Sequence, residues 1–211
     1  MNIVLMGPQG SGKGTQAKLL ADKFDLFYFE MGSFLRKLAE NNLSVDEIIN
    51  KKGELLPDDM FFFAMKELLG EKISEGKGII LDGFPRTLRQ YELLKSWFSE
   101  ENIKIDIAIF LGIGKEETIK RLSARRVCKK CGENYNLITN LPPQGKCKCG
   151  ENLVQRDDDK PLQIEKRLQL FDQETKPLLD VFQKEGILFK VNGERPIDEI
   201  HKDLVRIVGG K

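Results

Sequence analysis

Two sets of residues in this sequence could do chemistry: cations spaced to hold phosphate, and thiols spaced to hold a metal. The stretch "GPQGSGKGT" (Gly7–Thr15) meets the pattern G-x-x-x-x-G-K from Gly7 through Lys13. Its glycines let successive backbone N–H groups approach an anion, and the start of a helix adds partial positive charge. Lys13 adds a full charge. Position 14 departs from the usual Ser or Thr: it is Gly14, and the hydroxyl arrives at Thr15. In the common loop that hydroxyl ligates Mg²⁺ directly. Gly14 cannot, so a metal is expected to be held by nucleotide, waters and a carboxylate elsewhere. Asp82, closing the apolar run "GIILD", is the candidate.

"LDGFPRTLRQ" brings Asp82, Arg86 and Gln90 just past that run, and "MGSFLRKL" puts Arg36 on a short helix. Arginine forks suit phosphate oxygens. Arg121, Arg125, Arg126, Arg156 and Arg167 flank a segment of different character, and as a set they suggest a lid that carries positive charge onto a polyphosphate. Phosphoryl transfer needs this, because its catalysis is mostly positioning and charge stabilisation.

The thiols lie inside that segment. Cys128-x-x-Cys131 and Cys147-x-Cys149 together have the content of a tetrahedral Zn²⁺ site, closed and structural because protein fills all four positions. The second knuckle is one residue shorter than the usual C-x-x-C, which could distort it, although Gly150 permits a tight turn.

These residues need a frame. Five apolar runs read as strands: Asn2–Met6, Leu26–Phe29, Gly78–Asp82, Asp106–Leu111 and Ile187–Val191. Several lack alternation, as strands buried on both faces do. Helical periodicity fills "TQAKLLADKF", "DDMFFFAMKELLGEKI", "TLRQYELLKSWF" and "KEETIKRLSARR". The alternation predicts a doubly wound α/β fold with a five-stranded parallel sheet. A long helix should start at Pro161 and be interrupted at Pro177. Two inserts break the rhythm. The expected division is a core of residues 1–29, 57–126 and 159–211, an acceptor-binding insert at 30–56 and a metal-binding lid at 127–158.

The 211 residues carry 34 Lys+Arg against 33 Asp+Glu, a net charge of +1, with 40% hydrophobic residues. This near-neutral balance argues against a nucleic-acid coat or a membrane-surface protein. No signal peptide and no transmembrane run is expected, so the reading is cytoplasmic. The single histidine, His201, is expected to be solvated, which leaves histidine-based catalysis out.

"GPQGSGKGT", "LDGFPRT" followed by Gln90, "RLSARRVC", "QRDDD" and "EKRL", in this order, resemble the adenylate kinases, nucleoside monophosphate kinases whose long form carries a four-cysteine zinc lid. The resemblance spans nearly the whole chain. It implies reversible transfer of the terminal phosphate of Mg-ATP to AMP, giving two ADP; a monomer with no nucleic-acid or membrane partner is expected. It implies that Gly10, Ser11, Gly12, Lys13, Gly14 and Thr15 hold the donor phosphates. Arg125 would contact ATP, Arg121 would lie against its adenine, Asn134 and Tyr135 would touch it from the lid, and Arg195 would act through its backbone. On the AMP side it implies Arg36, Arg86 and Gln90, with Met31, the backbone of Glu54, Leu55 and Leu56, and Gly83, Phe84 and Pro85 lining the pocket. Arg156 and Arg167 would bridge the phosphates in transfer, and Asp82 would orient Mg²⁺ through water. Two mobile inserts would close over the substrates and exclude water.

The family usually reads Thr-Gly-Asp or Ser-Gly-Asp where this chain has Met31-Gly32-Ser33. AMP remains the expected acceptor, with altered affinity; UMP or CMP is the alternative. Two other classes stay open on the residues alone: a simple nucleotide hydrolase, and a zinc-ribbon nucleic-acid-binding protein suggested by "RRVCKKC" and "GKCKC".

Overall fold

A computed structural model describes residues 1–41 and 58–210. β1 (Asn2–Met6) leads through the glycine-rich loop into α1 (Lys13–Phe24); β2 (Leu26–Glu30) runs directly into α2 (Met31–Asn41). Then follow α3 (Asp58–Ser74), β3 (Gly78–Asp82), α4 (Leu88–Glu100), β4 (Ile107–Gly112) and α5 (Lys115–Ser123). Three short strands come next, β5 (Arg125–Cys128), β6 (Asn134–Asn136) and β7 (Leu153–Val154). The chain closes with α6 (Pro161–Leu170), a π-helical turn (Phe171–Thr175), α7 (Pro177–Lys184), β8 (Leu188–Asn192) and α8 (Ile197–Gly209).

The main sheet is parallel throughout, in the order β2-β3-β1-β4-β8. All of β1 is buried, as a strand covered on both faces must be. Its alternate residues serve two cores. Ile3 and Leu5 face Ala17, Leu20, Ile200 and Leu204 of α1 and α8. Val4 and Met6 face Phe61 and Met65 of α3, Leu94 and Trp97 of α4, and Leu178 and Phe182 of α7. Each large side chain buried this fully contributes roughly 1.5–3 kcal/mol, so the strand ends that carry functional groups are held by a stiff double layer. The strand order reverses across β1, and in such sheets ligands bind at the carboxyl edge beside that switch point.

The five apolar runs are the five strands. β1 and β3 have the expected bounds; Glu30 extends β2, and β4 and β8 each lie one residue further on. The end of the fourth helical run is corrected. The helical pattern through Arg126 ends at Ser123, and Arg125–Cys128 forms β5, the centre of a small antiparallel sheet in the order β6-β5-β7. Cross-strand pairing of Arg125 with Asn136 and of Arg126 with Tyr135 overrides the helical propensity of that run. The expected lid boundary at Val127 therefore falls inside a strand.

Pro161 occupies the first turn of α6 as expected. The interruption at Pro177 is not a simple kink. Proline cannot donate to the turn before it, and the chain widens into a π turn in which Lys176 N–H donates to Phe171 O at 2.8 Å. His201 is half-buried on α8 rather than fully solvated, and it stands off the cleft described next.

Candidate active site

The carboxyl edge of the sheet opens into a cleft of about 2100 Å³ lined by the glycine-rich loop, the ends of β2 and β3, the small lid sheet and α6. That exceeds the roughly 300–1,000 Å³ of a site for one small ligand and leaves room for two.

The loop can lie across the sheet edge because Gly7 has no side chain: a Cβ there would stand 2.3 Å from Leu111 O of β4. Gly12 caps α1 without a side-chain hydrogen bond, and the first turn of α1 carries no acidic residue. The helix start thus presents its N–H groups and dipole to an anion. Lys13 Nζ folds over the loop, donating to Gly7 O at 2.7 Å and Pro8 O at 2.9 Å. Burial pulls its ammonium down to about 8; Asp82 opposes this, while Arg86, Arg167 and Arg125 add to it.

Asp82, 7% exposed, closes β3 beside the loop and accepts from Tyr28 Oη at 3.0 Å. Burial raises its carboxyl above the usual range, against the pull of Lys13. Burial likewise raises the Tyr28 phenol, helped by Asp82, which keeps it a proton donor.

Arg86 Nε donates to Gly83 O at 2.9 Å, and Arg86, Arg36, Gly83 and Pro85 line the cleft. Gln90 Oε1 accepts from Arg86 N–H at 2.8 Å, and Thr175 Oγ1 donates to Arg86 O at 2.9 Å. Gln90, Met31 and Phe84 are buried beneath the lining, at 3%, 3% and 0% exposure. Glu54, Leu55 and Leu56 lie outside the described residues.

Glu30 was not singled out in the sequence. Its Oε2 accepts from Ser33 Oγ at 2.9 Å, Arg36 Nη2 donates to the same Ser33 Oγ at 2.9 Å, and Glu30 Oε1 lies 3.5 Å from Arg36. The carboxylate missing at position 33 is thus present, arriving from position 30. Its place opposite Asp82 follows from the parallel register of β2 with β3 and has no local signal.

The arginines of the lid and α6 converge on two neighbouring aspartates. Arg125 makes a bidentate pair with Asp159, with Nε–Oδ2 at 2.7 Å. Arg156 makes a bidentate pair with Asp158, and Arg167 Nη1 donates to Asp158 Oδ2 at 2.9 Å. Burial works against charge on Asp158, yet Arg167 and Arg156 together hold it below the ordinary carboxylate range. Burial brings Arg167 down to about 10. Asp158 and Asp159 were read only as part of a motif; three arginines near one short acidic run was the missed signal. Arg126 turns back onto Ser123 O and Arg125 O and stands apart from the set.

Arg121 is 8% exposed and spans the loop and the end of β8, donating to Glu117 at 2.7 Å, Gly193 O at 2.8 Å and Gly10 O at 3.4 Å. Arg195 lines the cleft and donates to Asp203 at 2.6 Å. Asn134 and Tyr135 line the cleft, but the Tyr135 hydroxyl points into the cysteine cluster. It donates to Cys147 Sγ at 3.6 Å and accepts from Lys148 N–H at 3.0 Å.

The four cysteine sulfurs lie within 4.8 Å of one another. A zinc tetrahedron with Zn–S of 2.3 Å sets sulfur–sulfur separations of about 3.8 Å, so the set fits. The short knuckle is a contracted copy of the long one. Cys128 N donates to Glu133 O and Gly132 N to Cys128 O; Cys147 N donates to Glu151 O and Gly150 N to Cys147 O, each bond spanning one residue fewer. Gly132 and Gly150 both sit in the left-handed region, at φ 72° and 85°. The backbone N–H of Cys149 leads the effects that lower the Cys147 thiol to about 6, while against the backbone N–H groups of Glu133 and Glu151 neighbouring sulfurs raise Cys131 and Cys149.

Comparison with known proteins agrees with this geometry. The family model described as adenylate kinase matches residues 5–187. The adenylate kinase of Archaeoglobus fulgidus is 40% identical over 213 residues, covering 99% of this chain and 98% of that protein. That of Thermodesulfovibrio yellowstonii is 40% identical over 216 residues, covering 100% of each. That of Bacillus licheniformis is 37% identical over 216 residues, covering 100% of this chain and 99% of its own. With the family model matching most of the chain, relatives about 40% identical over its full length and four clustered cysteines that fit a zinc lid, the chain belongs to the adenylate kinase family and is a nucleoside monophosphate kinase.

Proposed function

We propose that the enzyme transfers the terminal phosphate of Mg-ATP to AMP, reversibly, giving two ADP. The observation that carries this reading is one cleft lined both by the loop of Gly10, Ser11, Gly12, Lys13, Gly14 and Thr15 and by Arg36 and Arg86 on the far side of Asp82. A hydrolase needs no second set of phosphate-binding arginines.

In this reading the donor phosphates lie on the loop amides and Lys13, and the adenine of ATP lies by Arg121 and the backbone at Arg195. Arg36 and Arg86 hold the acceptor phosphate. An oxygen of that phosphate attacks the terminal phosphorus of ATP, the bond from phosphorus to the bridging oxygen breaks, and ADP leaves. Arg125, Arg156 and Arg167 stabilise the charge that spreads over the transferred group. This requires them to exchange Asp158 and Asp159 for phosphate oxygens. Little proton transfer is needed, which matches a site built of cations rather than general bases.

Bound Mg²⁺ neutralises charge on the ATP polyphosphate, and Asp82, the buried carboxylate beside the loop, would orient it through water. Cys128, Cys131, Cys147 and Cys149 would hold a structural Zn²⁺. We assign residues 30–56 and 127–158 as the two closing inserts on the core. Both substrate sides lie within one chain, which supports a monomer, and the four unpaired thiols suit a reducing cytoplasm. No helix among the described residues is long and apolar enough to cross a membrane.

A steady-state panel with AMP, UMP, CMP and GMP tests the reading. The expected result is a clear preference for AMP, with negligible ADP from ATP alone. A preference for UMP or CMP overturns it.

A further inference from the structure

We propose that Tyr28 supplies the hydroxyl that Gly14 leaves out of the phosphate loop, and that it is a positioning residue for the metal of Mg-ATP, acting through Asp82. The inference rests on the reading above that Asp82 orients Mg²⁺.

A loop with Ser or Thr after its lysine projects a hydroxyl toward the metal from that position. Here a Cβ built on Gly14 would lie 3.3 Å from Asp82 Oδ2 and 3.4 Å from Tyr28 Oη. The space a side chain at position 14 would enter is therefore already bounded by a carboxylate and a hydroxyl. These two are bonded to each other at 3.0 Å. The hydroxyl absent from the loop is present at the same place, carried by a neighbouring strand.

The delivery is rigid. Tyr28 sits in mid-strand on β2, opposite Ile80 of β3, and its ring packs against the core on the α1 side. A phenol fixed at its ring has little freedom at its oxygen. Donation to Oδ2 sets the rotation of the Asp82 carboxylate, and the lone pairs of the phenol oxygen remain able to accept from a metal-bound water. Groups that hold a metal-orienting ligand in this way typically change metal affinity by 10–100-fold when removed.

The test uses Mn²⁺ as a spectroscopic probe for the Mg²⁺ position. Mn²⁺ retention by the complex of the full chain with ATP is measured by electron paramagnetic resonance for the wild type, Tyr28→Phe and Asp82→Asn. ATP affinity without metal is measured by calorimetry on the same proteins. Tyr28→Phe is expected to weaken Mn²⁺ retention about tenfold, with metal-free ATP affinity unchanged. The Mg²⁺ concentration giving half-maximal phosphoryl transfer should rise in the same proportion. Unchanged Mn²⁺ retention in Tyr28→Phe, or metal-free ATP affinity falling in parallel, overturns the proposal. Asp82→Asn separates the two levels. If it retains Mn²⁺ fully, the reading of Asp82 itself fails. If it loses Mn²⁺ while Tyr28→Phe does not, only the assignment of Tyr28 fails.

Discussion

Arg125 holds Asp159 through two parallel hydrogen bonds, and the Asp159 side chain is fully shielded from water. Removing one partner of a buried ion pair leaves the other uncompensated. Asp159→Ala should destabilise the fold, by less than the roughly 3–5 kcal/mol for a fully buried pair, because Arg125 keeps access to the cleft. Urea unfolding measures this. In the proposed transfer Arg125 gives up Asp159 for phosphate oxygens, so the variant should also lower KM for ATP.

Lys13 titrates near 8 because burial disfavours its charge. A polyphosphate on the loop restores the charged form. ATP binding should therefore take up a proton between about pH 8 and the ordinary lysine range, and ATP affinity should fall as pH rises through 8. Calorimetry in buffers of different ionisation enthalpy reads the proton directly. Lys13→Ala should abolish the uptake and cut turnover by roughly 10²–10³-fold, as loss of a charge-stabilising donor does.

Arg36 is engaged by Glu30 and Ser33. An acceptor phosphate must displace that carboxylate. Glu30→Gln should lower KM for AMP, by up to about fivefold because exposed pairs contribute at most about 1 kcal/mol. KM for ATP should stay unchanged. Arg36→Ala should move KM for AMP upward. Steady-state kinetics with each substrate varied in turn separates the two.

The cysteine cluster should carry about one zinc per chain, measured by atomic absorption after purification. Chelation at neutral pH should lower Tm, because the three short lid strands have little apolar core beyond Tyr135 and Leu153 beside the cysteines. Tyr135→Phe should weaken zinc retention without emptying the site, since it removes the hydrogen bonds to Cys147 Sγ and from Lys148 N–H but none of the four thiols. A Tm indifferent to chelator would contradict the structural role.

The strands were legible because each is a short apolar run between turns, and burial on both faces makes that signal strong. The phosphate loop was legible because its backbone needs fix residue types in sequence. Arg125 was harder: its local pattern is helical, and only its pairing with Asn136 makes it a strand residue. The contracted Cys147–Cys149 knuckle was read as a source of distortion, because spacing does not reveal that its backbone bonds shorten along with it. Glu30 and Tyr28 were missed for one reason. Each is brought to Asp82 by parallel register with β3, a relation between segments far apart in the chain.

The wide turn at Phe171–Thr175 also sets a phase. Each residue of an α-helix turns the chain by about 100°, so the extra residue in this turn offsets the faces of α6 and α7. α6 aims Arg167 at Asp158, α7 drives Phe182 into the core, and Thr175 between them donates to the backbone at Arg86. Removing a single residue here would leave both helices intact and swing Arg167 away by about a quarter of a revolution. The length of that turn is therefore set by the direction of one guanidinium, and it should resist insertion and deletion more strictly than any surface loop of equal size.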